Sequence, residues 1–480
     1  MVFEDIKKDF IPIHFLERMN AWKWWACAAA LFVAACSAYF GVKGLAIGLG
    51  AIVAGLIMLA IIRAPWTGIV VIAFALPFER FGSIDISGFT VRASQVILGV
   101  TLVVVCVYLL AGKLRIRFRG AHIALALFVV GACLSLPHAL NLFRATTSLG
   151  FMIFTALLAF AIPTLLDSNK KIELVVKALL LGAILTSAFG LFQFAGDLAG
   201  LPQSITGLRD MYTKEVFGFP RVQSTALEPL YFANYLLLPI AIGIVALIRK
   251  QRALVPYAAM LLPLALPAFV LTLSRAAYIG AAFLVVILAI ALFRHVVKPS
   301  YIVLGIVLVV VTFMAVTYAL SLTGDQTVSI QTFTRQATDL FGGASFADRA
   351  STVSQAWDII KQNPFGVGPG NFGPAVAIHP LVEPYGGWLI VNNIYLEVWA
   401  EEGIVGLLGF LALCIYVFLA VLRTYWGEKD LFRKSLLLAV GAAFVAILAQ
   451  YMTFSILYIM HIWFCIGLAL TLIKPSQKTP

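Results

Sequence analysis

Apolar positions along the chain fall into long, nearly unbroken runs, not the alternating or one-faced patterns of a soluble fold. The runs lie near 22–40, 44–63, 66–79, 94–112, 121–140, 145–166, 172–196, 229–248, 254–273, 276–293, 300–321, 403–422, 435–455 and 457–473. A bilayer-spanning helix needs about 20 apolar residues. The pattern therefore predicts an all-α, polytopic membrane helical bundle of 12–14 transmembrane helices. The third run is short and ends at Pro77, which leaves a re-entrant or half-helix open. The last two are almost contiguous and predict a tight hairpin.

Two polar stretches interrupt the runs. They divide the chain into an N-terminal segment (1–21), N-terminal transmembrane helices (22–196), an outer loop (197–228), central helices (229–321), a large outer loop (322–402), C-terminal helices (403–473) and a tail (474–480). Loops longer than about 15 residues are usually functional or disordered. The larger one is partly helical by pattern: Val353, Ala356, Trp357 and Ile360 recur at helical spacing over 348–361, with Asp348 as a cap and Asn363-Pro364 as the stop. Residues 1–21 read either as a short helix on the inner surface or as a polar tail. The first apolar run reads as a retained signal anchor.

Composition agrees with the pattern. Of 480 residues, 62% are hydrophobic and 12% charged, about half the charged share of a soluble domain. Mean hydropathy is +1.00. The net charge of +12 would suggest nucleic acid in a soluble protein. Here it sorts by side: the clusters at 113–119, 170–177, 249–252, 294–298 and 423–434 all fall on one face when fourteen spans are threaded. Positive charge marks the cytoplasmic side. Both termini are then cytoplasmic, the outer face is slightly acidic, and no nucleic acid is needed. The six cysteines lie inside apolar runs and read as core residues.

Against the slightly acidic outer face, two arginines stand out. Arg275, in LTLSRAAYIG, starts a span on the outer side, either as a fork for phosphate or carboxylate or as a snorkelling side chain. Arg221 precedes a span, with Glu228 seven residues on, immediately before Pro229. Glu228 either caps that helix or works with Arg221. Arg349 opens the loop helix. His379 is the histidine of the large loop, followed by Glu383 and Tyr385. Asn392-Asn393 precede Glu397, Glu401, Glu402, Gly403 and Gly406. Those glycines permit close helix approach, and the glutamates fit a plain outer-interface face. There is no HExxH, CxxC pair, Walker loop or DxD-like pair, so a metal-independent reaction without cofactor is expected.

These features resemble the O-antigen ligase and O-antigen (polysaccharide) polymerase family of integral membrane glycosyltransferases. The resemblance rests on RVQSTALEP with Arg221, on LSR with Arg275, and on the block from Arg349 through PFGVGPGNF to Gly406, and it covers about 200–423. Family ligases carry His-Asn, nine residues, Gly, two residues, Gly. Here Asn392-Asn393, Gly403 and Gly406 keep that spacing, with Asn392 where the ligase histidine falls. Asparagine is no general base at neutral pH. The resemblance implies a bacterial inner-membrane enzyme with its active site on the periplasmic side. The donor would be an undecaprenyl-pyrophosphate-linked oligosaccharide, and the acceptor a glycan (polymerase) or lipid A core or protein (ligase). A chain-length regulator and a flippase are expected partners. Arg221, Arg275, Asn392, Glu228 and His379 are the candidate catalytic residues; Arg349, Asn393, Tyr385 and Glu383 are candidates for substrate binding. A polysaccharide or lipid transporter is the alternative of another class.

Overall fold

A computed structural model describes residues 33, 42–80, 84–86, 89–116, 118–213, 220–296, 344–385, 387–455, 457 and 459–473 of the chain. The expected N-terminal segment, the runs at 22–40 and 300–321, the start of the large loop and the tail at 474–480 lie outside these residues. The chain divides into two compact units, Met1–Gly68 and Ile69–Pro480. In the first, α1 (Val42–Arg63) matches the second apolar run.

From Trp66 on, the described chain is built of helices, the first of which begins just before the second unit does. In order these are α2 (Trp66–Ala75), α3 (Ala93–Leu110), α4 (Gly120–Ser135), α5 (Leu142–Ala156), α6 (Leu158–Leu165), α7 (Asn169–Leu198), α8 (Gln203–Thr206), α9 (Pro229–Ile248), α10 (Val255–Val270) and α11 (Arg275–Val296). Then follow α12 (Ala344–Gln362), α13 (Phe372–Val376), α14 (Ile394–Gly427), α15 (Leu431–Gln450) and α16 (Met460–Leu472). Among the described residues eight helical segments are long and apolar enough to cross a membrane, and four more apolar helices are shorter. The protein is thus a multi-pass helical bundle. Its third run forms only the ten residues of α2. A small antiparallel hairpin, Ile84–Ile86 with Phe89–Val91, is an addition that the apolar runs did not signal.

Packing follows the glycines. The pairs α4 with α14, α11 with α15, α10 with α7, and α16 with α6 run side by side, and α9 lies against α10 and α15. At the α4–α14 crossing a Cβ on Gly131 would collide with the backbone at Gly406, and one on Gly409 with the backbone at Phe128. Small residues let the two backbones touch, as membrane helix pairs require in the absence of a hydrophobic drive between them.

Three boundaries differ from the sequence pattern. α12 begins at Ala344, so Asp348 sits inside the helix and is no cap. The last two spans are separated by a 3-10 turn (Tyr451–Thr453) and a connection in which Phe454 and Ile459 are extended, not by a tight hairpin. Most consequential, α14 starts at Ile394 and not at 403, which ends the large loop at Asn393. Its 34 residues are two helical halves joined at a kink at Gly403, and the half after the kink coincides with the apolar run that starts at 403. The apolar run caught only the part after Gly403, because Glu397, Glu401 and Glu402 interrupt the part before it.

Gly403 breaks that helix, with φ +70° and ψ −173°. The Ile404 N–H donates to the Pro364 carbonyl instead of one turn back (3.1 Å). The Ala400 and Glu401 carbonyls accept from Val367 (2.9 Å) and Gly368 (2.9 Å). The 364–370 turn is thereby threaded into the break. Gly366, at φ +86°, has no room for a Cβ against the Glu401 carbonyl. Replacing either Gly366 or Gly403 by alanine combines left-handed strain with a backbone clash, and is expected to cost at least ~1–3 kcal/mol. Gly150→Ala, on a helix with open space around it, is expected to leave thermal unfolding in detergent unchanged, whereas Gly366→Ala and Gly403→Ala lower it.

Candidate functional site

The first element of the candidate site is an irregular segment, 220–228, which runs straight to Gln223 and then turns, laid against the turn between α10 and α11. Its Val222 N–H donates to the Leu271 carbonyl (2.9 Å), and the Arg221 N–H donates to the Tyr212 carbonyl (2.8 Å). The Arg221 Nε donates to the Thr272 carbonyl (3.1 Å), and its guanidinium lies over the Tyr212 ring at 5.8 Å. Ser224, at φ +53°, locks the segment from behind. It donates its N–H to Gln193 Oε1 (2.7 Å) and its hydroxyl to the Thr186 carbonyl (2.6 Å). On the other side, Arg80 N–H donates to the Thr225 carbonyl (3.0 Å), and Glu79 accepts from the Leu227 N–H (3.0 Å). Arg221 and Glu228 thus sit on a backbone fixed at several points. Arg275 follows the same turn, three residues after Thr272, as the first residue of α11.

Arg349, in the large loop, joins these two. Burial lowers its pKa most, and the charges of Arg275 and Arg221 lower it further. The Arg221 pKa is likewise lowered by burial first, with Arg275 repulsion adding to it and Tyr212, Tyr278 and Glu228 opposing it. Three cations from three separate parts of the chain are therefore close enough to repel one another where water is partly excluded. An anion bound between them would relieve that repulsion and gain charge-assisted hydrogen bonds.

Glu228 occupies the N-cap position of α9, but its carboxylate makes no capping hydrogen bond. The capping expectation is corrected by this geometry: Pro229 at the first helical position already dispenses with one of the N–H groups that need a cap. Burial raises the Glu228 pKa, against the pull of Arg209 and Arg221. Arg209 and Glu79 are additions to the neighbourhood that the sequence reading did not single out.

Asn392 has φ +57°, a left-handed conformation that asparagine tolerates. Its N–H donates to Ser455 Oγ (3.0 Å), and that hydroxyl donates to Glu397 Oε2 (2.7 Å). Asn393 caps α14, accepting from Tyr395 and Leu396 N–H (3.1 and 3.2 Å). Thr352, three residues after Arg349, donates to the Val391 carbonyl (3.1 Å). Phe454, next to Ser455, packs its ring against Tyr231 of α9 at 5.3 Å. The 391–393 segment is thus bonded to the helix of Arg349 and, through 454–455, leans on the helix that Glu228 precedes.

His379, Glu383 and Tyr385 lie exposed on the stretch after α13, and no hydrogen bond or ion pair among the described residues ties them to the arginines. Glu401 and Glu402 are buried rather than part of an outer face. Glu401 accepts from the Gly370 and Phe372 N–H groups (2.6 and 2.9 Å). Arg144, near the start of α5, donates to the Gly370 carbonyl and stacks over Trp388 at 5.7 Å. Arg144 was not among the candidates from the sequence, although it stands near the start of an apolar helix as Arg275 does. Among the described residues no group of three or more His, Cys, Asp or Glu side chains is arranged to hold a metal ion.

Residues 258–411 match the family model described as O-Antigen ligase. The match covers about a third of the chain and includes Arg275, Arg349, Asn392, Gly403 and Gly406, while Arg221 and Glu228 precede it. The resemblance read from the C-terminal half holds over this span and supports a membrane glycosyltransferase-like role in O-antigen or polysaccharide assembly. The chain matches no curated protein.

The raised pKa of Glu228 has a pH consequence. If its carboxylate must be ionised, activity falls as pH drops through that raised value, so the acid limb lies above the usual glutamate range near 4.3. Measured pH profiles of glycan transfer are expected to show such a limb in the native protein and to lose it in Glu228→Gln.

Proposed function

We propose that the protein is a glycosyltransferase that polymerises a polysaccharide on the outer, periplasmic face of the bacterial inner membrane. Its donor is an undecaprenyl-pyrophosphate-linked oligosaccharide. The observation that carries this reading is the gathering of Arg221, Arg275 and Arg349, with Glu228 beside Arg221. An acceptor sugar hydroxyl attacks the anomeric carbon; the bond to the pyrophosphate oxygen breaks, and the lipid pyrophosphate leaves with the bonding electrons. Arg221 and Arg275 stabilise the charge that develops on it, as preorganised cations do. Arg349 holds the same group. The hydroxyl proton passes to a carboxylate, for which Glu228 is the candidate in this neighbourhood. The activated donor supplies the driving force, so no cofactor is called for.

The second reading is a ligase that moves a finished glycan onto lipid A core or protein. The printed description of the matching family favours it. Asn392 at the histidine position of family ligases weighs against it. Asn392 and Asn393 then serve as the shaped rim of the site, and a chain-length regulator and a flippase are the expected partners. His379, Glu383 and Tyr385 remain candidates for contacting the glycan from the exposed stretch.

Arg221→Ala and Arg275→Ala are each expected to lower transfer by about 10²–10³ while the protein stays in the membrane. Gel profiles of cell-surface glycan read the outcome; normal polymer in both variants sinks the reading. In a deletion strain, accumulation of single repeat units marks a polymerase. Long lipid-linked polymer that never reaches its acceptor marks a ligase. Radiolabelled repeat units that cross the membrane with no new glycosidic bond mark a transporter.

A further inference from the structure

The stretch from Ile378 to Leu389, between α13 and α14, carries apolar side chains that the fold leaves uncovered. Ile378 is 91% exposed, Leu381 72%, Val382 66% and Leu389 53%, and Tyr385 is fully exposed. Two turns keep them in one lobe. The Val382 N–H donates to the His379 carbonyl (3.2 Å), and the Gly387 N–H donates to the Pro384 carbonyl (2.8 Å). The sequence IHPLVEPYGGWL holds no lysine or arginine and one carboxylate, Glu383. Clustered apolar side chains of this kind mark a surface that meets something other than water.

The root of the lobe fixes its level. Trp388 lies under the Arg144 guanidinium at 5.7 Å, and Arg144 also donates to the Gly370 carbonyl. Asn371 Oδ1 accepts from the Asn141 N–H (2.8 Å), and its Nδ2 donates to the Asn141 carbonyl (3.2 Å). A Cβ on Gly373 would collide with Trp388 and Leu389, so α13 and the end of the lobe are in direct contact. Both ends of the lobe are therefore pinned to residues 141–144. There the apolar segment Leu142–Leu165, long enough to cross a membrane, begins. Leu142 and Phe143, in its first turn, are 56% and 70% exposed, an apolar start turned outward. Trp388 thus stands where a spanning segment begins, the level at which Trp and Tyr concentrate in membrane proteins.

The bilayer bounds the molecule at this level, so lipid is the surface the lobe meets. We propose that residues 378–389 form a membrane-dipping lobe. Ile378, Leu381, Val382 and Leu389 enter the boundary between headgroups and acyl chains, to a depth of roughly 5–10 Å. Tyr385 and Trp388 are its interfacial anchors, each with an apolar ring and a polar tip, and His379 and Glu383 stay among the headgroups. Val391, two residues beyond the lobe, accepts from Thr352 in the helix of Arg349 (3.1 Å). The lobe therefore couples the lipid surface to the backbone of the candidate site. The inference stands on exposure and anchoring, and does not rest on the transferase reading.

The test places a spin label at position 381 of the full-length protein, through a ketone-bearing amino acid introduced by stop-codon suppression, in phosphatidylcholine nanodiscs. Leu381 is exposed, so the label replaces no core contact, and thermal unfolding should stay native. Power saturation reads its collisions with oxygen, which concentrates in lipid, and with a water-soluble nickel chelate. A label at Val103, 65% exposed in α3, gives the lipid reference, and free label in buffer gives the water reference. The expected result is a preference for oxygen at 381, as at Val103. The double variant Val382→Asp, Leu389→Asp should lower that preference toward the free label. Nickel access at 381 equal to that of the free label overturns the proposal, because the lobe then stands in water. Shielding from both reagents overturns it as well, because a protein surface then covers the lobe. An unchanged oxygen preference in the aspartate variant does so too.

Discussion

The break in α14 at Gly403 is the constraint on which the packing around the 364–372 turn and the start of α14 depends. A helix interior has no spare carbonyls; the left-handed glycine releases those of Ala400 and Glu401, and the 364–370 turn takes them. That turn in turn presents the Gly370 and Phe372 N–H groups to Glu401 and the Gly370 carbonyl to Arg144. The first half of α14 is then held at an angle its own hydrogen bonds would not give. It carries Asn393 as its cap and Glu397 as the acceptor behind Ser455 and Asn392. A tertiary interlock of backbone with backbone replaces the missing stretch of helix, so that a loop becomes a rigid support for polar side chains. Such rigidity is what a site for charged substrates needs.

The second dependence is electrostatic. Arg221, Arg275 and Arg349 come from an irregular segment, a helix start and a loop helix; Arg221 is anchored at Thr272 and Tyr212, and the helix of Arg349 is tied to Val391 through Thr352. Mutual repulsion in a partly dehydrated setting is unfavourable, and the anchors at Thr272, Tyr212 and Val391 hold it in place. The site is thus prepared for an anion before one arrives. On the proposed reading that anion is the pyrophosphate of a lipid-linked donor, which matches the site in charge.

Much of this was legible in the sequence, for physical reasons. Spanning helices declare themselves by length and hydropathy, and α9, α11 and α15 fall where the runs predict. Arg221 and Arg275 were visible because a cation is unusual on the face that the charge pattern predicts to be outer and slightly acidic, and Arg349 because it opens the loop helix. The rest was hidden by interactions that leave no local trace. The early start of α14 was masked by three glutamates whose burial depends on partners far along the chain. Gly403 read as a packing residue; it does let the Phe365 backbone approach closely, but it also breaks the helix, which its sequence context did not signal. Glu228 left a cap and a partner of Arg221 both open, because an acidic residue before Pro229 is the ordinary signature of a cap. Arg144 and Glu79 gained their meaning only from residues more than 100 positions away. The short hairpin at 84–91 gave no signal among the apolar runs.

The central claim is that this chain forms glycosidic bonds by displacing a lipid pyrophosphate held by the arginines. The most direct measurement is transfer by the purified protein in nanodiscs, supplied only with an undecaprenyl-pyrophosphate-linked single repeat unit. The account predicts oligomers of two or more repeats with one undecaprenyl pyrophosphate released per bond, and loss of both products in Arg275→Ala. Release of lipid pyrophosphate without any new glycosidic bond, or equal oligomer formation by Arg275→Ala, would contradict it.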